Sequence, residues 1–303
     1  MTDLIYHYTS SQGLLGIIND GINGKMHCSH PLFLNDSKEY FLLLELTKKY
    51  LDNFISQEKE PYVSNTLKQC IDMSHSVMTK YLLSDDALIP FFSSFSKEGD
   101  LLSQWRGYCP DGGYSLGFEQ SLILNDSSKE ENWKIDDVEY IDPQQPDIDF
   151  TSLLSFFFEQ MEKLREEIIN IYPQTLKFNL LFESQFSPEA QKRVIEIKSF
   201  LSFCIFIPFI AETSKYKDIN FKEEKEVRIY ILSNENIQYK TIKNSIKPYK
   251  ILNISLKESL KEIIIGPSKT SELDEIGLKH FLKSIDLSNV EIKHSKIPYR
   301  TST

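Results

Sequence analysis

FKEEKEVRIYIL, residues Phe221 to Leu232, decides the fold. Val227, Ile229 and Ile231 alternate at period two, the spacing of a β-strand with one buried face. Carried backward, the same alternation predicts that Glu224, Glu226, Arg228 and Tyr230 share the other face. Two carboxylates, a guanidinium and a phenol in a row fit one wall of a cleft. A positioned carboxylate can hold a sugar hydroxyl and stabilise positive charge developing on an anomeric carbon, and a neighbouring arginine or second carboxylate sets its direction and ionisation. The competing reading is a solvated strand face whose charges pair with their neighbours.

Downstream, IQYKTI, YKILNIS and KEIIIGP read as further strands, followed by a helix from about Ser271 to Ile285 and a last strand near VEIKH. Upstream, LIYHYTS from Leu4 reads as a strand leading into a helix capped by Ser10 or Ser11 and stopped at Gly21. On that first strand Leu4, Tyr6 and Tyr8 point one way, and Ile5, His7 and Thr9 the other. Long helices to about Ser56 and from about Ser64 to Leu83 precede a strand, FFSSFS, after Pro90. A short helix in LLSQWRGY, a DGG turn and the strands YSLGF and VEYID follow. Residues 150–211 read as largely helical, broken near Pro173 and Pro188. Strands grouped on either side of a helical block predict an α+β fold rather than an alternating parallel sheet. The expectation is one domain over residues 1–303, with a β-core from 1–149 and 212–303 and a helical insertion at about 150–211.

The 303 residues carry 34 basic and 44 acidic side chains, net −10, which disfavours a broad basic surface tracking duplex nucleic acid and leaves room for a small site. Cys28, Cys70, Cys109 and Cys204 are scattered without a CxxC pair, which points to a reducing compartment and a cytoplasmic protein. No signal-peptide pattern is visible at the N-terminus. The apolar window FLSFCIFIPFIAE from Phe200 falls short of the roughly 20 residues that span a bilayer, so a buried helix and no membrane partner are expected.

Other constellations each have a structural alternative. HYTS, His7 to Ser10, lies at a strand-to-helix junction, where backbone amides can hold a phosphate or ribose oxygen; a histidine there is more often structural. In NDSKE, Asn35 to Glu39, the Asp36–Glu39 spacing is close to a capping box. Trp105 and Arg106 in QWRGY sit near a glycine turn, Trp105 being a core anchor or a stacking platform. His27, Cys28 and His30 have no second ligand pair at a metal spacing, and GxxxxGK[ST], GxGxxG and HExxH are absent.

HYTS, LNDxxE, FSSFS, LSQWRGY, GGYSLGF, FKEExEVR, EIIIGP and SKIPYR, in this order, resemble a bacterial domain-of-unknown-function family, number 2971, over essentially the whole chain. That likeness brings no activity with it. The layout also resembles, more distantly, the ADP-ribosyltransferase fold with its split β-core. This second resemblance implies NAD as substrate and no metal. His7 would hold the adenosine-side ribose, supported by Thr9; Tyr114 or Tyr108 would stack on nicotinamide; Glu226 would stabilise the oxocarbenium ion with Glu224 as helper. Arg228, which the transferase pattern does not require, would bind a diphosphate or clamp Glu226; Asn35, Asp36, Glu39, Trp105 and Arg106 have no counterpart in that pattern and would line an acceptor side particular to the 2971 family. It further implies a toxin or anti-phage effector modifying a protein or nucleic-acid acceptor, with an antitoxin or defence partner. A nucleotide- or phage-component-binding module without turnover, and a metal-dependent nuclease built on Asp36, Glu39, Glu224 and Glu226, are the competing functions.

Overall fold

The computed structural model describes residues 3–18, 23–34, 39–82, 84, 88–124, 126–171, 187–242, 244–268 and 270–298. Gly21, Asn35 and Asp36 lie outside these. Along the chain, β1 (Leu4–Thr9), α1 (Ser11–Ile17), β2 (Asn23–Ser29), α2 (Leu42–Ser56), α3 (Pro61–Leu82) and β3 (Pro90–Ser96) come first. Then come α4 (Leu102–Tyr108), β4 (Tyr114–Glu119), α5 (Asp126–Glu130), β5 (Lys134–Asp137), β6 (Glu139–Ile141), α6 (Phe150–Leu153), α7 (Ser155–Ile171) and α8 (Pro188–Glu212). The chain closes with β7 (Tyr216–Asp218), β8 (Glu226–Leu232), β9 (Gln238–Ile242), β10 (Ser245–Ser255), α9 (Leu256–Ser259), β11 (Leu260–Ile265), α10 (Ser271–Ser284) and β12 (Glu291–His294). It forms two compact units: Met1–Asn35, Pro90–Tyr140 and Ile219–Thr303 in the first, Asp36–Ile89 and Ile141–Asp218 in the second. The helices following β2 thus group with those of 150–211, where the sequence placed only the latter outside the β-core.

The first unit is an open, mostly antiparallel sheet in the order β12-β11-β4-β1-β3-β2-β10-β9; among the described residues only β11 and β12 of this sheet pair in parallel. β3 is the fork. One of its edges carries β8 along its whole length, from Pro90↔Leu232 to Ser96↔Glu226, and β5 continues outward from β8. Among the described residues its other edge pairs with β1 at Tyr6↔Ser96 and with β2 at Ser29↔Phe92, so neither strand follows it along its length.

Directly paired residues share a sheet face. Ile5, Phe91, Phe95, Leu116, Phe118, Val227, Ile229, Leu252 and Ile263 accordingly meet in one core, joined by Leu14 of α1 and Leu278 of α10. β2 was not legible as a strand, because its buried row is Gly24, Met26 and Cys28, with a glycine where an apolar side chain would signal alternation. That glycine is required: a Cβ on Gly24 would stand 2.7 Å from Ile254 and 2.8 Å from Leu256. β5, KIDD, has almost no apolar signal and is a strand because β8 supplies a hydrogen-bonding partner.

On the opposite sheet face α4 packs by Trp105, which is fully buried with its ring edge-on to Tyr8 at 4.8 Å. Its indole N–H donates to Asp100 Oδ1 at 2.7 Å, and Asp100 also accepts from Ser295 Oγ (2.5 Å) and the Lys296 amide (2.7 Å). One carboxylate therefore ties QWRGY to SKIPYR and makes Trp105 a core anchor.

In the second unit α3 packs against α2, α7 and α8 around Leu43, Leu67, Met78, Phe157, Leu201 and Phe209. Glu58 receives both terminal nitrogens of Arg165 at 2.7 Å. Ser187 caps α8 by accepting from the Ala190 amide at 3.2 Å, with Pro188 at its first turn, so Pro188 opens this helix. The stretch Pro188–Lys215 is long and apolar enough, by length and composition, to cross a bilayer, yet half of its most apolar window is buried within the chain. All four cysteines are buried free thiols.

Candidate functional site

β8 enters the sheet through a turn, Ile219–Glu224, and Lys225 with φ +43°. A left-handed residue breaks strand alternation, so Glu224 is not on the strand, contrary to the face predicted by carrying the period backward. Its backbone carbonyl accepts from Ser96 Oγ at 2.6 Å. From Glu226 onward the predicted alternation holds, with Val227, Ile229 and Ile231 in the core and Glu226, Arg228 and Tyr230 opposite.

That polar row is buried: Glu226 is 4% exposed, Arg228 3% and Tyr230 8%. Arg228 Nε donates to Glu226 Oε1 at 2.8 Å and its Nη2 to Glu226 Oε2 at 3.2 Å, a bidentate pair within one strand. The guanidinium lies over the Phe92 ring, 4.4 Å from its centroid, adding a cation–π contact. Tyr230 donates to Asp136 Oδ2 at 2.5 Å. The Tyr140 hydroxyl accepts from the Glu226 amide at 2.7 Å. Ser94 and Ser96 of β3 stand directly beside Arg228 and Glu226. Asp136, Tyr140, Ser94 and Ser96 were missed as members of this row. Ser94 and Ser96 sit at period two in FSSFS and were open to being found, whereas Asp136 and Tyr140 join only through the β5–β8 pairing.

The other sequence candidates do not gather on this row. Because Tyr6 pairs with Ser96, and Ser96 with Glu226, Tyr6 shares the face of Glu226, and His7 lies on the opposite one. His7 contacts Phe95 with ring centroids 5.5 Å apart. Its Nδ1 is 3.0 Å from the Ser94 carbonyl, which can only accept, so Nδ1 carries the proton. Burial lowers the His7 pKa, the hydrogen bond to Ser94 partly opposing it. His7 straps β1 to β3 where the two diverge. Thr9 follows it on the same face; a Cβ on Gly13 would fall 2.0 Å from Thr9 Oγ1, so the residue packs on the first turn of α1. Tyr114, paired with Thr9, belongs to the core cluster, and burial followed by the Asp274 charge raises its phenol pKa. Tyr108 is 48% exposed and Arg106 is exposed, both on α4. Glu39 is in the second unit, its carboxylate 3.5 Å from the Lys217 ammonium.

Among the described residues no group of three or more His, Cys, Asp or Glu side chains is placed to hold a metal ion. His27 and Cys28 fail to converge because they point to opposite faces of β2, Cys28 into the core.

Fold and row together define an α+β protein with an open, forked sheet and a buried ionic row on β8, the strand that branches from β3. Residues 104–229, which run from α4 through β8 and include Glu226 and Arg228, match the model of a family described as a protein of unknown function (DUF2971). No curated protein matches the chain. No solved structure matches it either.

Proposed function

We propose that the protein is an NAD-utilising, ADP-ribosyltransferase-like effector in which Glu226 stabilises the cationic nicotinamide ribose. The observation that carries this reading is the bidentate Glu226–Arg228 pair on β8, beside the strand where the sheet forks. An arginine holding both carboxylate oxygens keeps the group ionised and fixed, so it meets a developing positive charge without reorganising. In the step itself the bond from ribose C1′ to the pyridinium nitrogen breaks, its electron pair leaving with neutral nicotinamide. A nucleophile on a macromolecular acceptor, or water, then bonds to C1′ and loses its proton. In this reading His7 is a positioning residue that holds β1 to β3, and Tyr230, Asp136 and Tyr140 hold the row in register. An effector of this kind acts as a toxin or in anti-phage defence.

The burial of the row favours a second reading, a module that binds a nucleotide or phage component without turnover, since a carboxylate 4% exposed and engaged at both oxygens by Arg228 also fits a purely structural ion pair. Nicotinamide release from NAD, measured with and without bacterial lysate, separates the two. The wild type is expected to release nicotinamide, faster with lysate, and Glu226→Gln to lose activity by about 100-fold or more. Thermal stabilisation by NAD with no release from folded wild-type protein would establish the second reading, and full activity in Glu226→Gln would remove Glu226 from the chemistry.

A further inference from the structure

We propose that the face of β2, β10 and β9 turned away from the core binds single-stranded nucleic acid. In a chain of net charge −10, these three strands, NGKMHCS, SIKPYKILNIS and QYKTI, contain no Asp or Glu. Register places Lys25 and His27 of β2, Lys247 and Tyr249 of β10, and Gln238 and Lys240 of β9 on one face, because Asn253↔Lys25, Ile251↔His27, Tyr249↔Gln238 and Lys247↔Lys240 are direct partners. Met26, Cys28, Leu252 and Ile254 take the other face, in the core.

Tyr249 is the centre of this patch. The His27 ring lies against it at 4.2 Å, tilted by 38°, and the Lys240 ammonium stands over it, 5.1 Å from its centroid. Its hydroxyl donates to Gln238 Oε1 at 3.0 Å, which fixes the ring. Lys240 Nζ donates to His27 Nδ1 at 3.4 Å, and Lys247 Nζ to the Phe33 carbonyl at 3.1 Å. The Lys240 and Lys247 ammonium groups are thus held by neutral acceptors, and no carboxylate pairs with Lys25, Lys240 or Lys247 among the described residues. Burial and then the neighbouring ammonium lower the basicity of His27, and burial is likewise the main cause for Lys240, where the Lys247 charge adds to it.

Like charges held side by side without a counter-ion cost free energy that a bound polyanion would recover. Lysines on an edge strand also discourage edge-to-edge pairing. That role needs neither an aromatic platform nor Lys25, which lies two strands in from the edge. A fixed ring flanked by ammonium groups offers a base a stacking surface and its phosphates a counter-charge. Duplexes hide the faces of their bases, so the ligand is a single strand. That such a strand is also the ADP-ribose acceptor rests on the NAD-cleaving reading; its binding does not.

The test is fluorescence anisotropy with labelled single-stranded RNA and DNA oligonucleotides of about 12 nucleotides, in the absence of NAD, using the wild-type protein. Duplex DNA and heparin serve as competitors. Tyr249→Ala is expected to weaken binding about 5- to 150-fold while Tyr249→Phe, which keeps the ring, binds like wild type. Lys25→Ala and Lys247→Ala should each reduce the slope of log Kd against log salt by about 0.7. Lys192→Ala, at an exposed position on α8 in the second unit, should leave both affinity and slope unchanged. RNA and DNA arms separate the two sources of the same chemistry. Absence of binding at low salt, binding unaffected by Tyr249→Ala, or displacement by heparin or duplex as effective as by the single strand would overturn the proposal.

Discussion

Replacing Glu226 by alanine leaves the Arg228 guanidinium, 3% exposed, without its bidentate carboxylate. Removing one partner of a buried ion pair costs about 3–5 kcal/mol, because the remaining charge stays desolvated. At about 2–4 °C per kcal/mol for a unit of 150–250 residues, Tm should fall by roughly 6–20 °C. Arg228→Met should cost a similar amount for the converse reason. Replacing both by apolar residues of similar volume, Glu226→Leu with Arg228→Met, removes the uncompensated charge, so the double variant should be less destabilised than the sum of the singles. A coupling of roughly 2–3 kcal/mol is expected. Both side chains have further contacts, so recovery stays incomplete. The assay is urea denaturation followed by tryptophan fluorescence, which suits this chain because both tryptophans, Trp105 and Trp133, belong to the first unit and report on its unfolding alone. Additive losses in the double variant would refute the argument, showing that the pair is not energetically coupled.

Two further outcomes follow from local geometry. His30 Nδ1 accepts from the Leu32 amide at 3.2 Å, and burial pushes its pKa down to about 4. A folded value below the unfolded one of 6.5 means that the stability it contributes is present above pH 6.5 and is lost as pH falls from there toward 4. His30→Asn, which keeps an acceptor but does not titrate, should flatten stability across that window, and an unchanged pH profile would count against the hydrogen-bond account. Gly266→Ala would place a Cβ 2.8 Å from the Trp105 ring and 3.1 Å from the Gly113 carbonyl, with an expected loss of about 1–3 kcal/mol from overpacking. A thermal midpoint equal to wild type would show that the ring can shift.

The α+β class, the strands β1, β3, β4 and β8 to β12, and the apolar face of β8 were legible in the sequence, because alternation within a strand is written in residues two apart. Glu226 and Arg228 were legible as neighbours on one face for the same reason. Local reading failed where local chemistry carried no signal. Lys225 adopts a left-handed conformation and removes Glu224 from the row, and β2 hides one buried position behind Gly24. Beyond these, what mattered was pairing between distant strands. The registers Tyr6↔Ser96 and Ser96↔Glu226 put His7 and Glu226 on opposite faces, and the β5–β8 ladder brought Asp136 to Tyr230. The pairs joining β2 to β10 and β10 to β9 assembled a basic, aromatic face within an acidic chain. A one-residue change of register inverts every side chain of a strand, so the faces that residues from different strands share are set by long-range packing of the core, which only the tertiary structure decides.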